Sequence, residues 1–431
     1  MAGMRILRGR DAALDAVRHR ALDLLDDDTD RAVRSIVDAV RRGGDAAVRD
    51  FTSRFDGVAI DELRVPPLEI SAAEGRVDPD LRHAIDLSIE RVERYYRRQP
   101  SGGFVDTEPG AVLGQLIRPI ERVGVYVPGG TAPLVSSLVM SAVPARVAGV
   151  PTIVVVTPPR RDGSVAPEIL YAAAKLDIDV VIRAGGAQAV AALAYGSESV
   201  PRVDKIVGPG NRYVVAAKRL VFGSVGIESL PGPTETLVVA DPSADPHHVA
   251  ADLLAQAEHL GAQPVLATWS EALLTATQAA LEEALSDLPT AAAARESLES
   301  RGLALLVGDL DEAMEVANAY APEHLCLLVD DPWAALPRVH NAGGVFLGAH
   351  SMEALGDYVA GPSHVMPTSA TARFASFVNL RDFQKVIPLI SFEPSVVEAI
   401  GPAAVRIARA EGLEAHARAV LARLPEDPTK G

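Results

Sequence analysis

Gln256 and His259 stand three residues apart in a segment whose pattern predicts an amphipathic helix. Asp245 is a suitable N-cap, and Pro246 fits the first helical position, where its missing N–H costs nothing. Two side chains at this spacing share one helix face, so an imidazole and an amide could bind one metal ion there. Glutamine is an unusual metal ligand, however. The pair taken alone favours an ordinary polar helix face over a metal site.

A second candidate for chemistry is the adjacent pair Glu323 and His324, which follows Pro322 and precedes the apolar strand Leu325–Val329. Adjacent carboxyl and imidazole groups suit proton transfer, because one can activate water while the other accepts or returns a proton near neutral pH. The alternative is an exposed pair in a loop.

Further carboxylate and imidazole groups follow towards the C-terminus. Asp357 and His364 lie in a Gly/Pro-rich segment predicted as a loop, and Glu411 and His416 flank Gly412 near the end of the chain. His416 alone is more simply explained as a packed histidine. Residues from three of these segments together form a set of nitrogen and oxygen donors that suits zinc or a similar divalent ion. They are Gln256, His259, Asp357 and His416.

Three glycine clusters each follow a predicted strand, at Tyr126–Thr131, Ala184–Gln188 and Val207–Asn211. Open α/β sheets bind ligands beyond the carboxyl ends of their strands, so a dinucleotide is plausible at these loops. None of the three is a G-x-G-x-x-G fingerprint or a Walker A loop. Tight strand-to-helix turns that need glycine explain them equally well.

The elements that must position these residues alternate between strands and helices. The predicted fold class is α/β, with two Rossmann-like doubly wound lobes, N-terminal helices and a small C-terminal helical piece that Gly412 breaks into two helices. The segments expected as strands are 123–127, 152–156, 180–182, 236–240, 264–267, 304–307 and 325–329, and those expected as helices include 166–174 and 187–195.

Composition excludes several classes of protein. The chain has 431 residues, of which 48% are hydrophobic and 23% charged, and its net charge is −16. That charge disfavours nucleic acid and anionic membranes as partners. A single cysteine, Cys326, excludes an intramolecular disulfide and a multi-cysteine zinc site. The N-terminus lacks the apolar stretch of a signal peptide, and no apolar run is long enough to span a bilayer. We therefore expect a cytoplasmic protein.

Taken together, these segments resemble the histidinol dehydrogenase family, the NAD-dependent enzymes that end histidine biosynthesis. The matching stretches occur in order over about three-quarters of the chain, whereas the N-terminal helices fit more loosely. They are Val-Tyr126-Val-Pro-Gly-Gly, Gly-Gly-Ala-Gln188-Ala, Val-Asp-Lys-Ile-Val-Gly-Pro-Gly-Asn211, Gly-Pro-Thr234-Glu, Gln256-Ala-Glu-His259, Pro-Glu323-His324, Gly-Asp357-Tyr and Glu411-Gly-Leu-Glu-Ala-His416.

The resemblance implies a role for each matched residue. The implied zinc ligands are Gln256, His259, Asp357 and His416, and the implied acid/base residues are Glu323 and His324. The substrate site would use the four zinc ligands and His324 together with Thr234, His364 and Glu411. The NAD site would be lined by Tyr126, Gln188 and Asn211. Cys326, although it is close to His324, lies in an apolar strand and is not expected to act as a nucleophile.

The implied reaction is a four-electron oxidation of L-histidinol to L-histidine through histidinal, which uses two NAD and one water. The resemblance further implies a homodimer in which the C-terminal piece completes the site of the partner subunit. The corresponding division of the chain is an N-terminal arm (1–26), a first α/β lobe with the zinc and catalytic residues (27–122 with 233–378), an NAD lobe (123–232) and the C-terminal piece (379–431).

Some positions depart from the family pattern, notably Pro231, Thr234, Arg212 and the stretch 377–383. They leave room for a related zinc-dependent dehydrogenase of another amino or sulfonated alcohol, or for a catalytically idle ligand-binding relative. Glu411, the expected partner of a substrate ammonium, favours histidinol because it would repel an anionic substrate. The presence of both Glu323 and His324 argues against an idle relative.

Overall fold

The structure is a computed structural model that describes residues 3–18, 27–129, 133–259 and 261–425. Some predictions fall outside these residues: Gly130 and Thr131 of the first glycine cluster, residues 19–26 of the expected N-terminal arm, and residues 426–431. The strands are β1 (Arg5–Arg8), β2 (Val105–Glu108), β3 (Ala111–Pro119), β4 (Arg122–Tyr126), β5 (Thr152–Thr157), β6 (Val180–Arg183), β7 (Lys205–Val207), β8 (Gly226–Ile227), β9 (Glu235–Ala240), β10 (Gln263–Thr268), β11 (Leu303–Leu306), β12 (His324–Leu328), β13 (Gly344–Leu347) and β14 (Gln384–Phe392).

Helices fill most of the connections between these strands. They are α1 (Arg10–Arg18), α2 (Asp27–Asp56), α3 (Pro67–Ser71), α4 (Pro79–Tyr96), α5 (Val135–Val147), α6 (Pro167–Lys175), α7 (Gly186–Tyr195), α8 (Arg212–Val221), α9 (Pro246–Ala257), α10 (Glu271–Leu285), α11 (Ala291–Arg301), α12 (Leu310–Tyr320), α13 (Pro332–Ala335), α14 (Glu353–Tyr358), α15 (Pro394–Ala410) and α16 (Glu414–Leu421).

A six-stranded parallel sheet has the order β1-β11-β10-β9-β12-β13. Alternate residues of a strand point to opposite faces, and β9 shows this directly. Val238 packs with α9, α10 and α11 on one face, whereas Leu237 and Val239 pack with α1 and α12 on the other. Both faces are therefore covered by helices, as the doubly wound prediction requires.

A five-stranded parallel sheet has the order β6-β5-β4-β7-β8. Val123 and Val125 of β4 face a core formed with α4, α5 and α6, whereas Val154 and Val156 of β5 face a core formed with α2, α7 and α8. The chain passes from β4 to β5 on one side and later returns to β7 on the other. The topological switch point, where such sheets bind ligands, therefore lies between β4 and β7.

Both sheets belong to one compact unit, residues 1–99 with 120–383, and the remaining residues form a second unit. The second unit contains the antiparallel sheet β14-β3-β2 and the helices α15 and α16. The expectation of helices alone in 379–431 is wrong, because β14 pairs with β3 along nine residues. The break at Gly412, which adopts φ +75°, is confirmed.

The N-terminus also differs from the helical arm that the sequence predicts. Arg5–Arg8 is an edge strand, and Ile6 lies opposite Ala304 of β11. Four residues are too few to show a strand periodicity, and the partner strand lies far along the chain, so the sequence could not reveal this pairing. In the described parts of the chain, no helix is both long enough and apolar enough to cross a membrane.

Candidate active site

The Glu323–His324 pair lies at the amino-terminal edge of the six-stranded sheet. Ala321, in a left-handed conformation with φ +50°, ends α12, and Pro322 leads the chain directly into β12. His324 is the first residue of that strand and lies opposite Thr236 of β9. Both members of the pair are buried, so the alternative of an exposed loop pair is wrong.

Hydrogen bonding leaves one ring nitrogen of His324 available. Nδ1 lies 3.1 Å from the carbonyl oxygen of Glu235, which can only accept, so Nδ1–H is the donor. Nε2 is buried and has no hydrogen-bond partner among the described residues, and it lies 3.8 Å from Oδ1 of Asp357. Burial lowers the pKa of His324, but the carboxylates of Glu353, Glu323 and Asp357 outweigh this and raise it to about 10.

The carboxyl group of Glu323 is held by two neighbours at the start of β9. The Thr234 hydroxyl and the Glu235 backbone N–H lie 2.8 and 3.1 Å from Oε2. Burial raises the pKa of Glu323 to about 7, although the charge of His324 and these hydrogen bonds oppose the shift. A carboxyl group with this pKa can exchange protons at neutral pH.

Gln256 and His259 do not share a helix face as the sequence predicts. Helix α9 ends at Ala257, and His259 lies in the following turn, where its N–H donates to the carbonyl oxygen of Gln256. The predicted cap is confirmed, since Asp245 accepts from the His247 N–H. Gln256 is buried and its Oε1 lies 2.8 Å from the Thr234 hydroxyl, whereas His259 is exposed. The tight turn before β10 ends the helix.

Asp357 lies in the short helix α14 instead of a loop. Its backbone carbonyl lies 2.9 Å from Nδ1 of His364, which orients that imidazole. Burial raises the pKa of Asp357, but the nearby His324 ring, 3.8 Å away, and the charges of His364 and His259 outweigh this and lower it. The structure thus places Asp357 near His324, His364 and His259.

Glu411 and His416 belong to the second unit. Glu411 is the C-cap of α15, and His416 lies in the first turn of α16. Both side chains are exposed. The alternative of a packed His416 is therefore wrong, and its imidazole is accessible to a ligand.

The side chains of the four predicted zinc ligands suit a divalent ion. The first unit alone does not contain all four of them. That unit contributes an amide, an imidazole and a carboxylate, from Gln256, His259 and Asp357. No group of three or more His, Cys, Asp or Glu residues is placed to hold a metal anywhere in the described ranges. A mixed set of nitrogen and oxygen donors still fits zinc, provided that a fourth ligand is added.

Two acids near the site, Glu353 and the half-buried Asp252, were not predicted from the sequence. Glu353 is fully buried, and its Oε1 accepts from the Cys326 thiol at 2.9 Å and from the Thr236 hydroxyl. Burial raises the pKa of Asp252 to about 7, and the charge of Glu353 adds to this shift. Glu353 stands four residues before Asp357, and Asp252 stands four residues before Gln256. Each acid therefore precedes a predicted zinc ligand by about one helical turn. That helical spacing is the signal that could have revealed them.

The glycine loops meet at the switch point of the five-stranded sheet. Gly208 has φ +115°, and a Cβ there would lie 2.1 Å from the carbonyl oxygen of Tyr126, so only glycine fits. The ring of Tyr126 is buried, and its hydroxyl accepts from the Gly186 N–H at 3.0 Å. Burial raises the pKa of Tyr126 to about 12, so it stays protonated.

The other two residues predicted for the cofactor site begin helices near this point. Gln188 lies in the first turn of α7, is buried, and its Oε1 has no hydrogen-bond partner within the described structure. Asn211 caps α8, since its Oδ1 accepts from the N–H groups of Tyr213 and Val214 at 3.0 and 3.2 Å. An unpaired acceptor and a capped helix N-terminus fit the hydroxyl and phosphate groups of a dinucleotide.

Two parallel sheets with a buried proton-transfer pair and a glycine-lined switch point define an α/β dehydrogenase. Comparison with known proteins narrows the class, because the family model for histidinol dehydrogenase matches residues 21–424. The chain is 60% identical over 397 residues to histidinol dehydrogenase from Deinococcus radiodurans, covering 92% of this chain and 91% of that one. It is 53% identical over 396 residues to the Thermus thermophilus enzyme, covering 92% and 94%.

Solved structures agree with the sequence comparison. The crystal structure of histidinol dehydrogenase from Elizabethkingia anophelis superposes with a TM-score of 0.93 at 35% identity, covering 97% of this chain and 98% of that one. The chain belongs to the histidinol dehydrogenase family. It is an NAD-dependent oxidoreductase that oxidises histidinol in histidine biosynthesis.

Proposed function

We propose that the chain converts L-histidinol to L-histidine in two successive oxidations, with histidinal as the intermediate. The overall reaction consumes two NAD and one water and releases two NADH and three protons. The observation that carries this proposal is the buried pair in which Nδ1 of His324 lies 3.7 Å from Oε2 of Glu323, while Nε2 has no hydrogen-bond partner among the described residues. Two oxidations separated by addition of water require one group that accepts protons twice and a second that activates water.

His324 is the base in both oxidations. Because its Nδ1–H is held by the Glu235 carbonyl, Nε2 is the nitrogen that faces the reacting hydroxyl. It accepts the hydroxyl proton as hydride moves from the carbinol carbon to the first NAD. The product of this step is the aldehyde, and the proton on His324 returns to solvent before the second oxidation.

Glu323 activates the water that attacks the aldehyde carbon. Its raised pKa gives it proton affinity near neutral pH, and Thr234 and the Glu235 N–H fix its orientation. The resulting hydrate gives a proton to His324 and a hydride to the second NAD, which yields the carboxylic acid. This acid then releases a proton to solvent and becomes the carboxylate. No covalent bond to the protein is required, in agreement with the burial of Cys326.

Four residues, Gln256, His259, Asp357 and His416, would hold one zinc ion per subunit. When bound, zinc would supply a Lewis acid that holds the imidazole and amino nitrogens of the substrate, and its charge would offset that of Asp357 so that His324 titrates closer to neutral pH. Glu411 would accept a hydrogen bond from the substrate amino group, and His364 would hydrogen-bond the reacting hydroxyl group. NAD would bind at Tyr126, Gln188 and Asn211.

We also propose a cytoplasmic homodimer in which Glu411 and His416 complete the site of the partner subunit. The support is that the first unit supplies only three of the four ligands, while the residue that would supply the fourth is exposed in the second unit. An exposed imidazole can reach a neighbouring subunit, which a packed one could not.

The test is the stoichiometry of NADH formation with L-histidinol, with and without a chelator. We expect two NADH per histidinol, and loss of activity both on zinc removal and in His259→Ala. His248→Ala is the matched control, because His248 is an exposed histidine in the first turn of α9. A yield of one NADH per substrate, or turnover only with another amino or sulfonated alcohol, would overturn the assignment.

A further inference from the structure

Lys218 and Glu228 form a buried ion pair beneath the loop at residues 208–211. Lys218 lies in the last turn of α8, and Glu228 follows β8. Their side chains are 0% and 2% exposed, and Nζ of Lys218 lies 2.6 Å from Oε2 and 2.7 Å from Oε1 of Glu228. Burial lowers the pKa of Lys218, although the charge of Glu228 opposes this shift.

Both charged groups bind the same glycine. The Gly208 N–H donates to Oε1 of Glu228 at 2.8 Å, and the Gly208 carbonyl accepts from Nζ of Lys218 at 3.1 Å. The backbone of Gly208 is thus held through both of its polar groups by side chains from two different elements. Tyr126 closes the remaining side, because only a residue without a Cβ fits against its carbonyl.

A buried ion pair is weak evidence for a purely stabilising role. Removing two charges from water is costly, and apolar residues of similar volume often replace such pairs without loss of stability. Such a pair has a clearer use when it sets a single backbone position. Three residues after Gly208 stands Asn211, the N-cap of α8 and a residue of the proposed NAD site.

We infer that Lys218 and Glu228 are positioning residues for the cofactor: by fixing the peptide groups of Gly208, they set where Asn211 and the N-terminus of α8 meet NAD. This inference rests on the proposed NAD site. It assigns a function to two residues that do not touch the reacting atoms. A loop that is already fixed loses little conformational entropy when the dinucleotide binds. Its affinity for the dinucleotide is therefore higher than that of a loop that must first be ordered.

The experiment compares Lys218→Met with the double variant Lys218→Met/Glu228→Gln in the full-length enzyme. In the double variant no charge is left buried without a partner, and the glutamine carbonyl can still accept from the Gly208 N–H. The readouts are the dissociation constants of NAD and of histidinol, measured separately by calorimetry, together with KM and kcat. We expect both variants to bind NAD about tenfold more weakly, on the scale of one lost positioned hydrogen bond. Histidinol affinity should be unchanged.

Lys205→Met is the matched control. Lys205 is also largely buried and lies three residues before Gly208, but its Nζ pairs with Asp382 at 2.9 Å instead of binding the backbone of Gly208. NAD affinity that is unchanged in the folded double variant, or that falls equally in Lys205→Met, would overturn the inference. Asn211→Ala measured in parallel separates the two proposals. If it leaves NAD affinity unchanged, the proposed cofactor site itself is wrong.

Discussion

The proton-transfer residues owe their arrangement to backbone groups as much as to side chains. The carbonyl of Glu235 orients the His324 ring, and the N–H of the same residue holds Glu323. One peptide segment at the start of β9 therefore sets both groups. A change in how β9 and β12 pair would misplace the base and the water-activating carboxylate together.

The pH dependence of histidinal oxidation should follow the ionisation of Glu323. Burial raises the pKa of Glu323 to about 7. Water activation needs the ionised form, so the rate should rise with pH up to about 7 and fall tenfold per unit below it. The measurement is NADH formation from histidinal and NAD as a function of pH.

The variant Glu323→Gln tests whether Glu323 causes the fall in rate below pH 7. It should abolish formation of histidine from histidinal. The reverse of the first step, reduction of histidinal by NADH, needs only His324 and should persist. Loss of both activities to the same extent would show that Glu323 does more than activate water.

The second prediction concerns the single thiol. Cys326 is buried in β12, and burial together with the charges of Glu353 and Asp252 raises its pKa well above the ordinary value. It should therefore be inert. Cys326→Ser keeps the hydrogen bond to Glu353 and should retain kcat within about twofold. Native enzyme should resist maleimide, whereas unfolded enzyme should take up one equivalent; a large loss of kcat on substitution would contradict this reading.

Residue-level prediction from sequence succeeded where chemistry was local. Glu323 and His324 are adjacent, so their pairing could be seen directly. Glu353 and Lys218 owe their roles to their burial. Burial depends on how distant elements pack, which the local sequence does not reveal. Lys218 binds Gly208 and Glu228, each ten residues away along the chain, and neither contact follows from spacing alone.

The ends of helices decide where several functional groups lie. Asn211 satisfies two of the free N–H groups at the start of α8, a contribution of about 1 kcal/mol to stability. In the proposed cofactor site, Asn211 also contacts NAD. Its structural and binding roles can be separated because aspartate caps helices as well as asparagine does.

We predict that Asn211→Asp leaves the melting temperature unchanged but raises KM for NAD at least tenfold, because a carboxylate would repel the pyrophosphate. Asp309→Ala, which removes the cap of α12 away from the switch point, should show the opposite pattern: a lower melting temperature and an unchanged KM. An unchanged KM in Asn211→Asp would remove this residue from the cofactor site.

Sequence patterns predicted most strands of the two parallel sheets, but not β1, β8 or β13, and none of the antiparallel sheet. Continuous apolar runs such as Thr152–Thr157 mark strands buried on both faces. The strand Gln384–Phe392 contains a proline, and most of its residues are exposed, so neither burial nor alternation marked it. Its pairing with β3 joins segments about 270 residues apart, a contact that no local signal carries.

The residues of the proposed active site are divided between the two compact units. The proton-transfer pair lies in the first unit, whereas Glu411 and His416 lie in the second. If the second unit serves the partner subunit, every active site contains residues of two chains. Activity then depends on assembly.

We predict that two inactive variants restore each other. Co-expressed Glu323→Gln and His416→Ala chains should form mixed dimers in which one site holds both defects and the other holds neither. With random pairing, activity should reach about a quarter of wild type. Co-expression of Glu323→Gln with His324→Ala is the control and should give none. If the first pair also gives none, each chain completes its own site.

The lone, inaccessible cysteine has a practical consequence. Because Cys326 is the single thiol of the sequence and is enclosed by the sheet, one cysteine introduced at an exposed position would be the sole reactive site for a spectroscopic label. The chain is thus already suited to site-specific fluorophores or spin labels, with no thiol to remove first. A label on α16 and another on the partner subunit would report subunit exchange in real time, during turnover.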